Sequence, residues 1–294
     1  MSQELNIRDL AQAYTELQEG KVYRSSCLLA KGSKETATKA VRDLGISVLL
    51  DLRSEDEMKE DVSSDFSALT FSRASPPALP EGVGQGKVRY IIPLLERENL
   101  YRGVLERVSG TEKAAMLWYS LVNYRKEQEV FIREINRGGL AGLNKLMIDQ
   151  CGPEIAFALK VVTAAVEGGA VVGFQCRLGK DRTGLLAALI LAACGAPDKD
   201  IVTDYVRSDG IDEIALGPLT ARQEQAKQRT PEGALRLQRT RFVGAEAETM
   251  TSTLQHLRER HGGAASYLGS IGFTSAWQHR LLAALISPTA TDQA

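Results

Sequence analysis

The chain has 294 residues, 44% hydrophobic and 25% charged, a composition that excludes a disordered or fibrous protein. Lys and Arg number 36 against 37 Asp and Glu, so the net charge of -1 gives no global reason to expect nucleic-acid or membrane binding, and local charge must decide. The four cysteines, Cys27, Cys151, Cys176 and Cys194, have neither the close pairing of a zinc site nor the density of a secreted disulfide scaffold, so each is read as a free thiol.

The opening MSQELNIRDL lacks the apolar core of a signal peptide, and the longest apolar run, Leu185 to Cys194, is too short to span a bilayer. Both point to a cytosolic setting. The length fits one α/β domain over 1–294, with helical additions or a lid at about 100–150 and 210–265.

In chain order, Lys21 to Ser26 reads as a short strand and Glu35 to Leu44 as a helix that Gly45 ends. Ile46 to Leu52 is almost continuously apolar, the pattern of a strand covered on both faces in a mostly parallel sheet flanked by helices. It breaks into charge from Arg53 to Glu57. Residues 75–87 are rich in Pro and Gly and predict a loop, after which Val88 to Leu94 returns to the sheet. The stretch 100–150 reads as mostly helical.

Ile155, Ala158, Leu159, Val162 and Val166 recur at helical spacing before Gly168 and Gly169, and Ala170 to Phe174 reads as a strand. A turn from Gln175 to Asp181 then enters a helix, Arg182 to Ala193, apolar on nearly every side and therefore buried. From Ile201 onward the chain is a set of helical segments. Arg222 to Arg241 is basic, either a solvated helix face or a surface that helps hold an anionic substrate.

The turn carries the chemistry. A helix start leaves N–H groups unpaired and carries the positive end of the dipole, so a loop entering it is a ready anion site. Cys176 stands at its mouth. A thiol there, near Lys180 and Arg182, should ionise readily. Arg182 offers a planar fork for two phosphate oxygens and keeps its charge. A Walker loop is excluded, since Phe174 stands where its first Gly belongs and Asp181 follows Lys180.

The full string Cys176-Arg177-Leu178-Gly179-Lys180-Asp181-Arg182-Thr183-Gly184 resembles the signature loop of the atypical tyrosine and dual-specificity phosphatases of bacteria, fungi and plants. Asn6 to Leu10, Val22 to Ser26, Leu50 to Glu55, Ile201 to Tyr205 and Tyr267 to Phe273 are similar to further segments of that family. The resemblance implies a cysteine-dependent phosphatase with Cys176 as nucleophile and Asp181 as the acid for the leaving group. Arg182 and the loop from Arg177, Leu178, Gly179, Lys180 and Asp181 to Thr183 would clamp the phosphate. It also implies that Lys180 adds charge for phosphoinositides or a second phosphate, and that Thr183 hydrogen-bonds the sulfur. Phosphorylated proteins or phosphoinositides would be the substrates, with no metal or other cofactor.

One departure from the family is Gln175 where it has a His before the Cys; an amide donates a hydrogen bond but carries no charge, so slower turnover is expected. Asp181 could instead brace the loop by pairing with Arg24 or Arg53, and Asp51 and Arg53 read as braces at a strand end. Cys27 is considered as a redox partner for Cys176, and Cys194 as core packing. Two rivals stand beside the phosphatase: a binding module that holds phosphorylated ligands without turnover, and a sulfur transferase of the rhodanese type, which has no use for the distal Arg-Thr-Gly grip.

Overall fold

The computed structural model describes residues 6–28, 34–58, 72–74, 87–211 and 235–287. Six strands form the central sheet: β1 (Arg8–Asp9), β2 (Val22–Ser26), β3 (Ile46–Asp51), β4 (Ser72–Ala74), β5 (Val88–Ile91) and β6 (Val171–Cys176). Their order is β1-β2-β6-β3-β5-β4, antiparallel only between β1 and β2. The expected mostly parallel α/β sheet is present, and its middle strand β6 ends at Cys176.

Parallel neighbours need crossovers, and among the described residues helices follow β2, β3, β5 and β6. Between β2 and β3 lies α1 (Lys34–Asp43), and the short α2 (Glu55–Met58) follows β3. After β5 come α3 (Arg97–Arg107), α4 (Gly110–Val122), α5 (Tyr124–Gln150) and α6 (Gly152–Glu167). α5 is broken at Gly139, whose φ of 55 and ψ of -155 are not helical. Beyond β6 follow α7 (Asp181–Ala193), α8 (Asp198–Val206), α9 (Ala247–His261), α10 (Ala264–Ser270) and α11 (Ser275–Leu285). None of the helices among the described residues is long and apolar enough to cross a membrane.

Strand chemistry explains the two-sided burial. The β3–β6 register shifts between Ile46 and Val48, so Ile46 and Leu49 share one face while Val48 and Leu50 face the other. Ile46 and Leu49 pack with Cys27, Leu28, Ala40 and Val41 under α1. Val48, Leu50, Val172 and Phe174 join the larger core with α6, α7 and the C-terminal helices. Nine residues of α7, from Thr183 to Leu191, are buried, as expected for a helix apolar on every side.

Element existence matches the expectations and boundaries move by one to three residues. The sequence reading missed β1 and β4, two and three residues long. The loop expected at 75–87 and the basic stretch from Arg222 fall, except for Lys87 and 235–241, outside the described residues.

Candidate active site

Cys176 closes β6 and is 3% exposed, and α7 starts five residues later at Asp181. The four-residue loop between them is built by fixing its carbonyls from outside. Arg177 O accepts from Cys27 N at 3.2 Å, and Leu178 O and Gly179 O each accept from Asn6 Nδ2 at 3.1 Å. Gly179 O also takes Arg24 Nη2 at 2.8 Å, and Lys180 O closes the first turn with Gly184 N at 2.6 Å. Three of the four loop carbonyls are thus drawn back to the scaffold. The first turn of α7 has no side-chain cap, so its N–H groups stay open to an anion.

Two glycines make this course possible. Gly179 adopts a φ of +68, and a Cβ there would sit 2.4 Å from Ser26 N and 2.5 Å from Ser25 C. At Gly184 a Cβ would meet Tyr205 Cδ2 at 2.8 Å, so its absence lets α8 close onto α7.

Beneath the loop, three segments distant in sequence converge on one carboxylate. Asp204 of α8 accepts from Arg8 Nε at 2.7 Å and forms a short ion pair with Arg24, and Arg8 also reaches Asp204 O and Ser208 Oγ. Arg8 Nη1 in turn holds Asn6 Oδ1 at 2.5 Å, which aims the Asn6 amide at the loop. Burial, reinforced by Arg24, pulls Arg8 down to about 10 against the opposing Asp204. Burial pushes the Asp204 carboxyl up, but Arg24 and Arg8 outweigh it and hold it below the usual range.

A second buried carboxylate fixes the residue before Cys176. Asp51 is fully buried and takes Arg53 Nε and Nη2 at 3.0 and 2.9 Å, Arg89 Nη2 at 2.7 Å and Gln175 Nε2 at 2.7 Å. Burial alone would raise its pKa, but Arg53, Arg89 and Gln175 outweigh it and lower it. Gln175 Oε1 accepts Leu28 N at 3.2 Å. With a carboxylate on one side and an N–H on the other, the amide can point only one way, and both its ends are used. Gln175 thus ties the end of β6 to Asp51 at the end of β3 and to the chain beyond β2, without charge.

Arg182 is held by a residue the sequence reading left without a role. Its Nη1 and Nη2 meet Glu57 Oε2 and Oε1 at 2.5 and 2.6 Å, and Nη1 also donates to Leu52 O at 3.2 Å. Burial works to lower the Arg182 pKa, but the bonds to Glu57, then Cys176 and further Glu57 and Asp181 charge, raise it. Burial likewise opposes Glu57 ionisation, and the Arg182 bond and charge reverse the sign, so its pKa is lowered. Glu57 is itself positioned by a reciprocal cap with Ser54, whose N donates to Glu57 Oε2 at 3.0 Å while Glu57 N donates to Ser54 Oγ at 3.3 Å. The Ser-x-x-Glu spacing of Ser54 and Glu57 was the available signal.

The remaining expected residues are placed as follows. Asp181 opens α7 with its side chain 23% exposed, Tyr205 OH at 3.5 Å from Oδ1 and Lys180 Nζ at 3.9 Å; Arg24 and Arg53 are engaged with Asp204 and Asp51. Lys180 is fully buried and donates to Phe242 O at 3.1 Å. Arg177 is exposed. The Thr183 hydroxyl is buried and makes no hydrogen bond, so the expected bond to sulfur is not formed in this structure. Cys27 packs in the cluster under α1 and Cys176 in the largest one, and none of the four cysteines is in a disulfide. In Cys194, burial pushes the thiol up to about 12, which suits packing.

A separate titratable cluster joins α5 to α9. Asp149 Oδ1 lies 2.9 Å from His256 Nε2, 3.2 Å from His261 Nε2 and 3.4 Å from Arg260 Nε, with Arg107 Nη2 4.0 Å from Oδ2. Two imidazoles and a carboxylate at this spacing could ligate a cation. Two guanidiniums on the same carboxylate oppose one, and already satisfy it.

Residues 1–287 match a family described as the tyrosine phosphatase family. The chain is 26% identical over 293 residues to the triple specificity protein phosphatase PtpB of Mycobacterium tuberculosis, covering 96% of each chain. It is also 34% identical over 115 residues to a tyrosine-protein phosphatase of Nostoc commune, covering 37% of this chain and 36% of that one.

Proposed function

Because this chain belongs to the tyrosine phosphatase family, we propose that it hydrolyses phosphomonoesters through a phosphocysteine formed on Cys176, with phosphotyrosine and other phosphoprotein side chains as substrates. The observation that carries this reading is the loop itself: the carbonyls of Arg177, Leu178 and Gly179 are tied to Cys27, Asn6 and Arg24, and in this reading the loop amides face a phosphate beside Cys176. The PtpB relative is named for a triple specificity, which supports a substrate range wider than phosphotyrosine.

In this mechanism the Cys176 sulfur attacks phosphorus in line with the leaving oxygen. Loop amides from Arg177 to Thr183 and the Arg182 guanidinium hold the three equatorial oxygens and stabilise their growing charge. Glu57 occupies the Nη1–Nη2 edge of that guanidinium, so the Nε–Nη2 edge is the fork offered to phosphate. Asp181 gives its proton to the departing oxygen, then takes one from the water that cleaves the S–P bond and regenerates the thiolate. Lys180 adds positive charge beside the loop while held at Phe242 O. Residues 1–294 act as one domain whose helices α3 to α5 and α9 are additions around the sheet.

The test is hydrolysis of para-nitrophenyl phosphate by the wild type and Cys176→Ser. The reading expects turnover that the substitution abolishes. An inactive wild type that still binds phosphotyrosine would instead make the chain a phospho-ligand binder, and thiosulfate-dependent cyanide conversion would make it a sulfur transferase.

A further inference from the structure

Two features of α5 cost it helical stability, and both meet the same piece of chain. Asn136 is a poor helix former set in the helix interior, and it is 5% exposed. Its amide is spent outside the helix: Nδ2 donates to Arg236 O at 2.8 Å, and Gln238 N donates to Oδ1 at 2.7 Å. Three residues on, α5 breaks at Gly139 in a conformation that favours glycine, and a Cβ there would stand 3.4 Å from Arg241 O. Arg241 returns the contact, with Nη1 donating to Asn136 O at 3.4 Å and Nε to Gln238 Oε1 at 2.7 Å.

The chain held in this way, 236–245, runs on to the catalytic loop. Phe242 O accepts from Lys180 Nζ at 3.1 Å, and Ala245 N donates to Asp209 Oδ1 at 2.9 Å just beyond α8. The segment is therefore pinned on α5, at the loop and after α8. Lys180 is fully buried, and a buried ammonium needs its acceptors. Asn6, Arg24 and Cys27 hold the carbonyls of the three loop residues before it, whereas Lys180 is held through its side chain. It directly precedes Asp181 and Arg182, so what fixes Lys180 also fixes the start of α7 that carries both.

We propose that Asn136 is a positioning residue for the reaction: it seats 236–245 so that Phe242 O holds the Lys180 ammonium, and with it Asp181 and Arg182. Two helix-weakening residues set against one segment are the mark of a contact that supports a site, since packing alone is served better by good helix formers. The helices added between β5 and β6 thus act on the catalytic loop through a strap of backbone. The effect on turnover rests on the phosphatase reading, while the physical link does not.

Double-mutant kinetics with para-nitrophenyl phosphate, joined to hydrogen exchange read by mass spectrometry on the full chain, tests it. Asn136→Ala and Lys180→Met should each lower kcat by about 10-fold with KM unchanged, and the double variant should lose no more than the worse single one. In both single variants exchange should rise in peptides of 236–245 and of 177–184 while the sheet strands stay protected. Asp209→Ala, which frees the other end of the strap, should repeat the pattern. Asn136→Asp, which keeps the acceptor for Gln238 N, should fall between Asn136→Ala and wild type. Losses that multiply in the double variant would overturn the proposal. So would a KM rise in Lys180→Met that Asn136→Ala does not share, which would put the ammonium on the substrate, or exchange at 236–245 that Asn136→Ala leaves unchanged. The exchange measurement needs no turnover, so an inactive wild type would count against the phosphatase reading and leave the strap to be judged by exchange.

Discussion

Glu57 meets Arg182 edge to edge, one carboxylate oxygen on each terminal guanidinium nitrogen at 2.5 and 2.6 Å. This pair fixes the plane of the fork before any substrate arrives and assigns its two edges to different tasks. Preorganisation of this kind supports catalysis because little has to reorient as charge develops. It also means that the acid on α2, a four-residue helix, acts on the reaction only through another side chain.

Glu57→Ala is expected to lower kcat/KM toward para-nitrophenyl phosphate by about 10- to 100-fold, the scale for loss of alignment of a reacting group. Glu57→Gln, which keeps one acceptor oxygen, should fall between. Steady-state kinetics with circular dichroism on each variant separates this from unfolding.

Gly179→Ala should abolish activity with little loss of secondary structure. The added methyl would stand 2.4 Å from Ser26 N at a φ that favours glycine, so the loop must leave the β2 end and its carbonyl ties break. A wild-type rate in this variant would refute the close approach.

Gln175→Ala removes two buried hydrogen bonds and takes the side-chain acceptor from Leu28 N, while Asp51 Oδ2 keeps Arg53 and Arg89. A loss of about 1–3 kcal/mol in denaturant unfolding is expected. Gln175→His, which places a chargeable donor before Cys176, should raise kcat.

Asp51, Glu57 and Asp204 all have pKa values lowered by folding, in each case because cationic partners overcome burial. The unfolded chain therefore binds more protons, and stability from these groups is fully present above the unfolded carboxylate range near pH ~4. It is lost as pH falls through the lower folded values. Melting temperature should be flat from about pH 6 to 7 on their account and drop below about pH 4. Asp204→Asn should start lower at neutral pH and show a shallower acid limb.

What the sequence disclosed follows from how local each signal is. The strand, loop and helix around Cys176 were legible because anion binding, backbone reversal and a buried helix all leave marks within fourteen residues. The segments around Asn6, Arg24 and Asp204 carried the family resemblance, yet their shared task, holding Leu178 O and Gly179 O, is made only when β1, β2 and α8 come together. Glu57 was hidden in a run of acids, where only its spacing from Ser54 distinguished it. The strands β1 and β4 are too short to show a period of two. The Thr183 hydroxyl is buried and makes no hydrogen bond, a side-chain setting that position in a motif does not specify.

The account rests on a covalent bond between phosphorus and one sulfur. Rapid acid quench of the enzyme during para-nitrophenyl phosphate turnover, followed by mass spectrometry of its peptides, reads that bond directly. One phosphate on the peptide that carries Cys176, absent in Cys176→Ser, is the expected result. Turnover that continues in Cys176→Ser, or phosphate found on another residue, would contradict it.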